Sequence, residues 1–125
     1  MKLINASSAP QTGGTYSQAV EIGKSGRLLF VSGQIPVTDD GTVPDNFSDQ
    51  AYLVWRNVKA QLEAASMTLA DVVKVTTFLS DRQYREENSA IRRELLGEHA
   101  PALTVIVCDI YDERWLLEIE VVAAR

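Results

Sequence analysis

The spacing of the apolar residues changes at Phe47, and this change limits the folds that the chain can adopt. Before Phe47, short apolar runs alternate with turns rich in glycine and proline, which is typical of β-strands. After it, apolar residues recur at helical spacing until about Ala65, and Asn46 or Ser48 would cap the start of this helix. The positions in the stripe are Phe47, Ala51, Val54, Trp55, Val58, Leu62 and Ala65. The chain must therefore pack a helix against a sheet.

The remaining segments predict a second helix, from Arg82 to Leu96, which Gly97 would end. Short apolar or β-branched runs bounded by turns predict strands at Lys2–Asn5, Ser17–Ile22, Arg27–Ser32, Val72–Leu79, Leu103–Ile110 and Arg114–Ala123. The residues Gly23–Gly26 read as a hairpin turn between the second and third strands. The order β-β-β-α-β-α-β-β predicts one two-layer α+β domain over residues 1–125, with two helices on one face of the sheet.

The strands carry more apolar surface than two helices can cover. In the last strand, one face is fully apolar, with Trp115, Leu117, Ile119 and Val121, while the other face is mixed and carries Glu118 and Glu120. The third strand is apolar on both faces. A free-standing sheet covered on one side would have a polar second face. The residues therefore predict that the chain associates with copies of itself.

Charge and composition exclude several classes of partner. The chain has 12 Lys and Arg residues against 17 Asp and Glu residues, a net charge of −5, and no basic stripe. Nucleic-acid binding depends on clustered Lys and Arg, so we do not expect a nuclease or an RNA-binding protein. There is no apolar run of ~20 residues and no signal-peptide pattern at the N-terminus, so we expect a cytoplasmic protein without a membrane partner.

The chain has one histidine, His99, and one cysteine, Cys108. This pair cannot supply a zinc site of the usual kind, and we predict no metal site. Cys108 lies in a predicted apolar strand, where a free cysteine usually acts as a small buried hydrophobic residue. His99 lies near a helix end, where we expect a solvated side chain.

Three motifs together resemble the RidA (YjgF) family of reactive imine and enamine deaminases. They are Gly13-Gly14-Thr15-Tyr16-Ser17-Gln18-Ala19-Val20, Ser32-Gly33-Gln34-Ile35-Pro36 and Leu117-Glu118-Ile119-Glu120-Val121-Val122-Ala123. The similarity extends from Ala9 to Ala123. It implies a chorismate-mutase-like fold, a homotrimer with its sheets inward, and a small-molecule cleft between subunits that needs no cofactor.

The resemblance also assigns roles to individual residues. Glu118 would be the catalytic or water-orienting carboxylate for hydrolysis of a C=N bond. The ligand would contact Tyr16, Ser32, Asn88, Leu103 and Thr104. Judged without the family, the residues favour a Tyr16 that packs at the domain edge, and Glu118 and Glu120 could be two solvated glutamates. Asn88 interrupts an apolar stripe and would bond to a loop backbone, which supports the site in either interpretation.

Leu103 departs from the family pattern. Deaminating relatives carry an arginine after Pro101-Ala102, where a bidentate guanidinium holds the carboxylate of an imino acid. Leucine offers no donor, and nothing in the sequence shows whether Arg27 or Arg114 takes its place. We therefore expect little turnover of 2-iminopropionate, a gain with Leu103→Arg, and a preference for a less charged imine, enamine or carbonyl-like ligand. The alternative is a non-catalytic ligand-binding or protein-interaction scaffold.

Overall fold

The computed structural model describes residues 1–24 and 26–125, and it has the α+β architecture that the sequence predicts. The described residues form strands β1 (Lys2–Ile4), β2 (Ala19–Glu21), β3 (Leu28–Gln34), β4 (Val72–Leu79), β5 (Ala102–Val107) and β6 (Leu117–Ala124). The α-helices are α1 (Phe47–Ala64) and α2 (Arg85–Leu96). Their order along the chain is the predicted one.

Four strands form the main sheet, in the order β3-β6-β4-β5. Strand β6 runs antiparallel to both β3 and β4, and β5 runs parallel to β4. Strands β1 and β2 form a separate antiparallel pair, with Leu3 opposite Val20.

The predicted hairpin between the second and third strands is wrong, because β2 pairs with β1 and β3 pairs with β6. Pairing β3 with β6 sets Val31 opposite Val121, and both side chains enter the core. Strand β2 is mostly exposed and offers no comparable apolar face. Ser25, in the turn predicted at Gly23–Gly26, lies outside the described residues.

Local signals set the ends of the helices. The Oδ1 atom of Asn46 accepts a hydrogen bond from the Asp49 amide at 2.9 Å, which caps α1 as predicted. The second helix has two parts, because a 3₁₀ turn at Arg82–Tyr84 precedes α2. Gly97 follows α2 with a φ of 60°, a value that glycine adopts without steric cost.

The two helices cover one face of the main sheet, which we call the helix side. The core lies there, where Val54, Trp55 and Leu62 of α1 pack with buried side chains of β4 and β6. The opposite face, which we call the open face, carries Phe30 with 73% of its surface exposed. In the described part of the chain, no helix is long and apolar enough to cross a membrane.

Two expectations for single residues need correction. Strand β5 ends at Val107, so Cys108 lies just beyond it and is half-buried. His99 is also half-buried, and its Nε2 lies 2.6 Å from the carbonyl oxygen of Val72. The imidazole therefore links the segment after α2 to the start of β4 and is not a solvated side chain.

Candidate functional site

The predicted site residues lie on both faces of the main sheet. Leu103 of β5 stands opposite Val75 in the parallel register, and its side chain packs against the core on the helix side. The next residue, Thr104, stands opposite Thr76 and faces the other way. Glu118 of β6 stands opposite Phe78, on the open face. Within one chain, Leu103 therefore lies on the opposite face of the sheet from Glu118 and Thr104.

Tyr16 belongs to the helix side of the candidate site. Its neighbour Ser17 forms a parallel bridge with Ala102 at the start of β5. The Ser17 amide donates to the carbonyl oxygen of Pro101 at 3.0 Å, and its hydroxyl donates to that of Ala100 at 2.5 Å. Ser17 is buried, so these bonds hold the segment firmly and bring Tyr16 to the end of β5 that carries Leu103.

Asn88 and Arg92 complete this part of the site from α2. They are one helical turn apart, so their side chains are neighbours on one helix face. Only 2% of Asn88 and 4% of Arg92 is exposed. Tyr16 is close enough to Arg92 for its phenol oxygen to favour the charged guanidinium. We call Tyr16, Asn88, Arg92 and Leu103 the helix-side group.

Arg92 is a candidate site residue that the sequence motifs did not indicate. Burial lowers its pKa, and repulsion from Arg93 lowers it further, while Tyr16 acts in the opposite direction. Its Nε is buried and has no hydrogen-bond partner among the described residues. Its position in the sequence could have indicated this role. It comes four residues after Asn88 and next to the apolar Ile91, where a charged side chain is unusual.

Asn88 was expected to bond to a loop backbone, but its side chain has no such bond within residues 1–24 and 26–125. Its amide atoms are not among the fully buried atoms that lack a partner, so they remain accessible to a ligand or a second molecule. The position of Asn88 beside Arg92 therefore favours a binding role over a purely structural one.

The second part of the site, the open-face group, consists of Ser32, Gly33, Glu118 and Glu120. Gly33 lies under the carboxyl group of Glu118, where a Cβ would come within 2.7 Å of Cδ. Burial raises the pKa of the Glu118 carboxyl above its ordinary value of 4.5, and the charge of Glu120 raises it further. A carboxylate in this setting binds a proton more readily than a solvated glutamate, which suits acid–base chemistry.

Ser32 and Glu120 also line a shallow depression of about 260 Å³ on the open face. Its other lining residues include Phe30, Lys74 and Thr76. Lys74 Nζ donates to the Thr104 hydroxyl at 2.6 Å, so Thr104 is tied to this face and not to the surroundings of Leu103.

Asn57 of α1 positions the loop that follows Ser32 and Gly33. Its Nδ2 donates to the carbonyl oxygens of Ile35 and Val37 at 2.9 and 3.1 Å. A single amide thus ties both ends of a short loop to the helix. Asn57 therefore restrains the loop next to the open-face group by bonding it to α1.

The two arginines considered as substitutes for the family arginine are engaged elsewhere. Arg27 Nη1 donates to the carbonyl oxygen of Ala65 at 2.6 Å. Arg114 forms an ion pair with Asp112 at 3.0 Å. Within the described ranges, no three His, Cys, Asp or Glu side chains converge as metal ligands would.

Sequence and structure comparisons define the class of the protein. The family described as endoribonuclease L-PSP matches residues 6–125, and the chain belongs to this family, which confirms the resemblance to RidA. The RutC family protein PH0854 of Pyrococcus horikoshii is 38% identical over 127 residues, which cover 99% of this chain and 98% of that protein.

Two further relatives extend the comparison. TdcF of Escherichia coli, named as a reactive intermediate deaminase, is 33% identical over 128 residues, covering 99% of this chain and 97% of TdcF. Its structure with bound serine has a TM-score of 0.75 over 100% of this chain and 99% of that one. The Rid-family protein YyfB of Yersinia pestis has a TM-score of 0.87 at 27% identity, covering 99% of this chain and 98% of YyfB.

Proposed function

We propose that the protein is a deaminase of small reactive imines or enamines, which works as a homotrimer in the cytoplasm with its active cleft between subunits. The observation that carries the proposal is the setting of Glu118, a partly buried carboxyl over Gly33 with a raised pKa. The similarity to TdcF, which is named as such a deaminase, supports it.

The reaction needs only an acid–base group and a bound substrate. The Glu118 carboxylate accepts a proton from water as the water oxygen attacks the carbon of the C=N bond. The same carboxyl group returns this proton to the nitrogen, which gives a carbinolamine. The carboxylate then accepts the proton of the carbinolamine hydroxyl and delivers it to the nitrogen as the C–N bond breaks and the C=O bond forms. An imine and one water thus give a carbonyl compound and ammonia, without oxidation, reduction or a cofactor.

The separation of the two groups supports a cleft between subunits. The helix-side group and the open-face group lie on opposite faces of one sheet, so one chain cannot enclose a small substrate with both. A second copy that packs on the open face would bring its own helix-side group to Glu118. The exposed Phe30 supports such packing, because large exposed aromatic side chains are typical of interfaces.

The alternative is a non-catalytic scaffold that binds a ligand or a protein in the same cleft. Leu103 favours this alternative, because it cannot hold a carboxylate as the arginine of deaminating relatives does. It would instead favour a ligand that presents a less charged end to β5. The endoribonuclease description of the family gains no support from this chain, since its net charge is −5 and no basic stripe is present.

The test is ammonia release from a panel of freshly generated imines. We expect the wild type to accelerate release over the uncatalysed reaction and Glu118→Gln to reduce kcat by about 100-fold or more, as loss of a general base does. Glu98→Gln, which changes an exposed glutamate, is the matched control. Absence of acceleration with every imine would support the scaffold alternative.

A further inference from the structure

The side chain of Arg92 is largely buried and has no counter-ion among the described residues. Arg92 is 4% exposed, its Nε has no hydrogen-bond partner, and no carboxylate of residues 1–24 or 26–125 forms an ion pair with it. An arginine side chain carries five N–H donors and remains charged at physiological pH. Only Nε is fully buried without a partner, and the two terminal nitrogens still reach solvent, so their N–H donors are available to a partner from outside the chain.

The surroundings of Arg92 indicate what that partner is. The amide of Asn88 lies one turn away on the same helix face, is also buried and has no hydrogen bond within the described residues. Tyr16 borders the same place and contributes a phenol. Two donors and an aromatic wall around a guanidinium suit a small planar oxyanion, and a carboxylate matches the fork of arginine in a bidentate way.

We infer that Arg92 is the carboxylate-binding residue of the cleft and replaces, from α2, the arginine that β5 lacks at Leu103. The positive charge thus reaches the ligand from α2 and not from β5. This inference rests on the proposed function, and it revises the expectation from Leu103 alone. The substrate class becomes small imines that carry a carboxylate, with Leu103 as an apolar wall.

The overall charge of the protein makes a local cation necessary for such a ligand. A net charge of −5 repels anions from the surface, so a carboxylate would enter only where a positive group is concentrated. Arg93 lies next to Arg92 and adds to the positive potential there, which is visible in its effect on the pKa of Arg92. The two adjacent arginines make this end of the cleft attractive to an anion.

The first test compares two stable ligands that differ only in charge. Pyruvate is the ketone counterpart of a small imino acid, and pyruvamide replaces its carboxylate by a neutral amide. We expect the assembled wild-type protein to bind pyruvate more tightly than pyruvamide in calorimetry. Arg92→Gln should weaken pyruvate binding by about 10- to 100-fold, as loss of a charge-assisted hydrogen-bond pair does, and leave pyruvamide unchanged.

Arg56→Gln is the matched control, because it removes the charge of an exposed arginine on α1 and should leave both affinities unchanged. Unaltered pyruvate binding by Arg92→Gln would overturn the inference. Inorganic phosphate provides a further comparison. Phosphate that binds through Arg92 more tightly than pyruvate would overturn the assignment to a carboxylate.

A second measurement uses the unaltered protein and covers the case in which Arg92→Gln does not fold. The Nε–Hε resonance of Arg92 in a 15N-labelled sample should shift on titration with pyruvate and remain in place with pyruvamide. An Arg92 resonance whose chemical shift stays unchanged on addition of pyruvate would overturn the inference. A carboxylate of a second copy found on the guanidinium in the assembled protein would also overturn it.

Kinetics separate this inference from the proposed function. If the protein releases ammonia from imines, Arg92→Gln should raise the KM for 2-iminopropionate by about 10- to 100-fold, with a much smaller change in kcat. Pyruvate binding through Arg92 without turnover of any imine would sink the deaminase proposal alone. Turnover with equal KM in the wild type and Arg92→Gln would contradict the carboxylate assignment and leave the deaminase proposal intact.

Discussion

The carboxyl group of Glu118 occupies the space that a side chain on Gly33 would need. A Cβ at Gly33 would lie 2.7 Å from Cδ of Glu118 and would overlap its Oε2 atom. The glycine is required here by close approach and not by a left-handed backbone, since it is absent from the glycines with positive φ. The candidate catalytic carboxylate of β6 therefore packs directly on the backbone of β3.

Gly33→Ala should impair activity much more than stability. The overlapping atoms belong to the flexible end of a side chain, so the carboxyl group can move aside without unfolding the sheet. A displacement of about 1 Å in a catalytic group costs on the order of 100-fold in rate. We expect such a loss of kcat in the ammonia assay with a nearly unchanged melting temperature. Gly23→Ala, at a position with open space around it, is the control.

The pH dependence of activity should show the raised pKa of Glu118. The general base must be ionised, so kcat/KM should rise with pH through a midpoint above 4.5, the ordinary value. Glu120 contributes to the rise through like-charge repulsion, so Glu120→Gln should move the acid limb to lower pH. If the acid limb of kcat/KM has the same midpoint in Glu120→Gln as in the wild type, Glu118 is not the titrating group.

The same pKa shift has a consequence for stability. A glutamate whose folded pKa exceeds its unfolded pKa contributes stability at acid pH, and this contribution is lost as pH rises through the folded pKa. Glu118→Gln should therefore melt at a higher temperature than the wild type at neutral pH. The difference should disappear in acid, which thermal melts across a pH series would reveal. A constant difference at all pH values would contradict the assignment.

The open face of the sheet should be an interface between three copies. We expect about three chain masses in light scattering on a size-exclusion column. Phe30→Asp should weaken this assembly, because the phenyl ring is 73% exposed in one chain and a buried aspartate would lack a partner. Tyr111→Asp changes another highly exposed aromatic residue, outside the main sheet, and should leave the mass unchanged. A wild-type monomer at micromolar concentration would remove the basis for a cleft between subunits.

Asn57→Ala should destabilise the fold and loosen the loop after Gly33. The substitution leaves the carbonyl oxygens of Ile35 and Val37 without their donor, and such a loss costs about 1–3 kcal/mol. Urea denaturation would measure the change in the free energy of unfolding. Lys59→Ala, at an exposed position of the same helix, should stay within about 0.5 kcal/mol of the wild type.

Elements whose signals are local could be predicted closely. Strand β4 spans Val72–Leu79 as predicted, and α1 ends within one residue of the predicted Ala65. The buried face of β6 is also the predicted one, with Leu117, Ile119 and Val121 in the core. These features depend on side-chain spacing and on capping residues that are neighbours along the chain, so a short window of sequence contains them.

Features that depend on distant partners could not be predicted from the residues alone. The partner of β3 is β6 and not β2, because burial of Val31 against Val121 outweighs the short connection to β2. Strand pairing is a competition between remote segments, and no local pattern decides it. The same limit applied to His99, which was expected in solvent and instead contacts Val72.

The sequence by itself determined the family, because the motifs around Tyr16, Ser32 and Glu118 are contiguous and specific. Only the tertiary structure decided how they are divided between the two faces of the sheet, since the register of β5 and β6 on β4 sets which way each side chain points. Only the packing of α2 against the Tyr16 segment buried Arg92 without a partner. Burial and charge pairing are properties of the folded chain, so the motif around Leu103 could not reveal them.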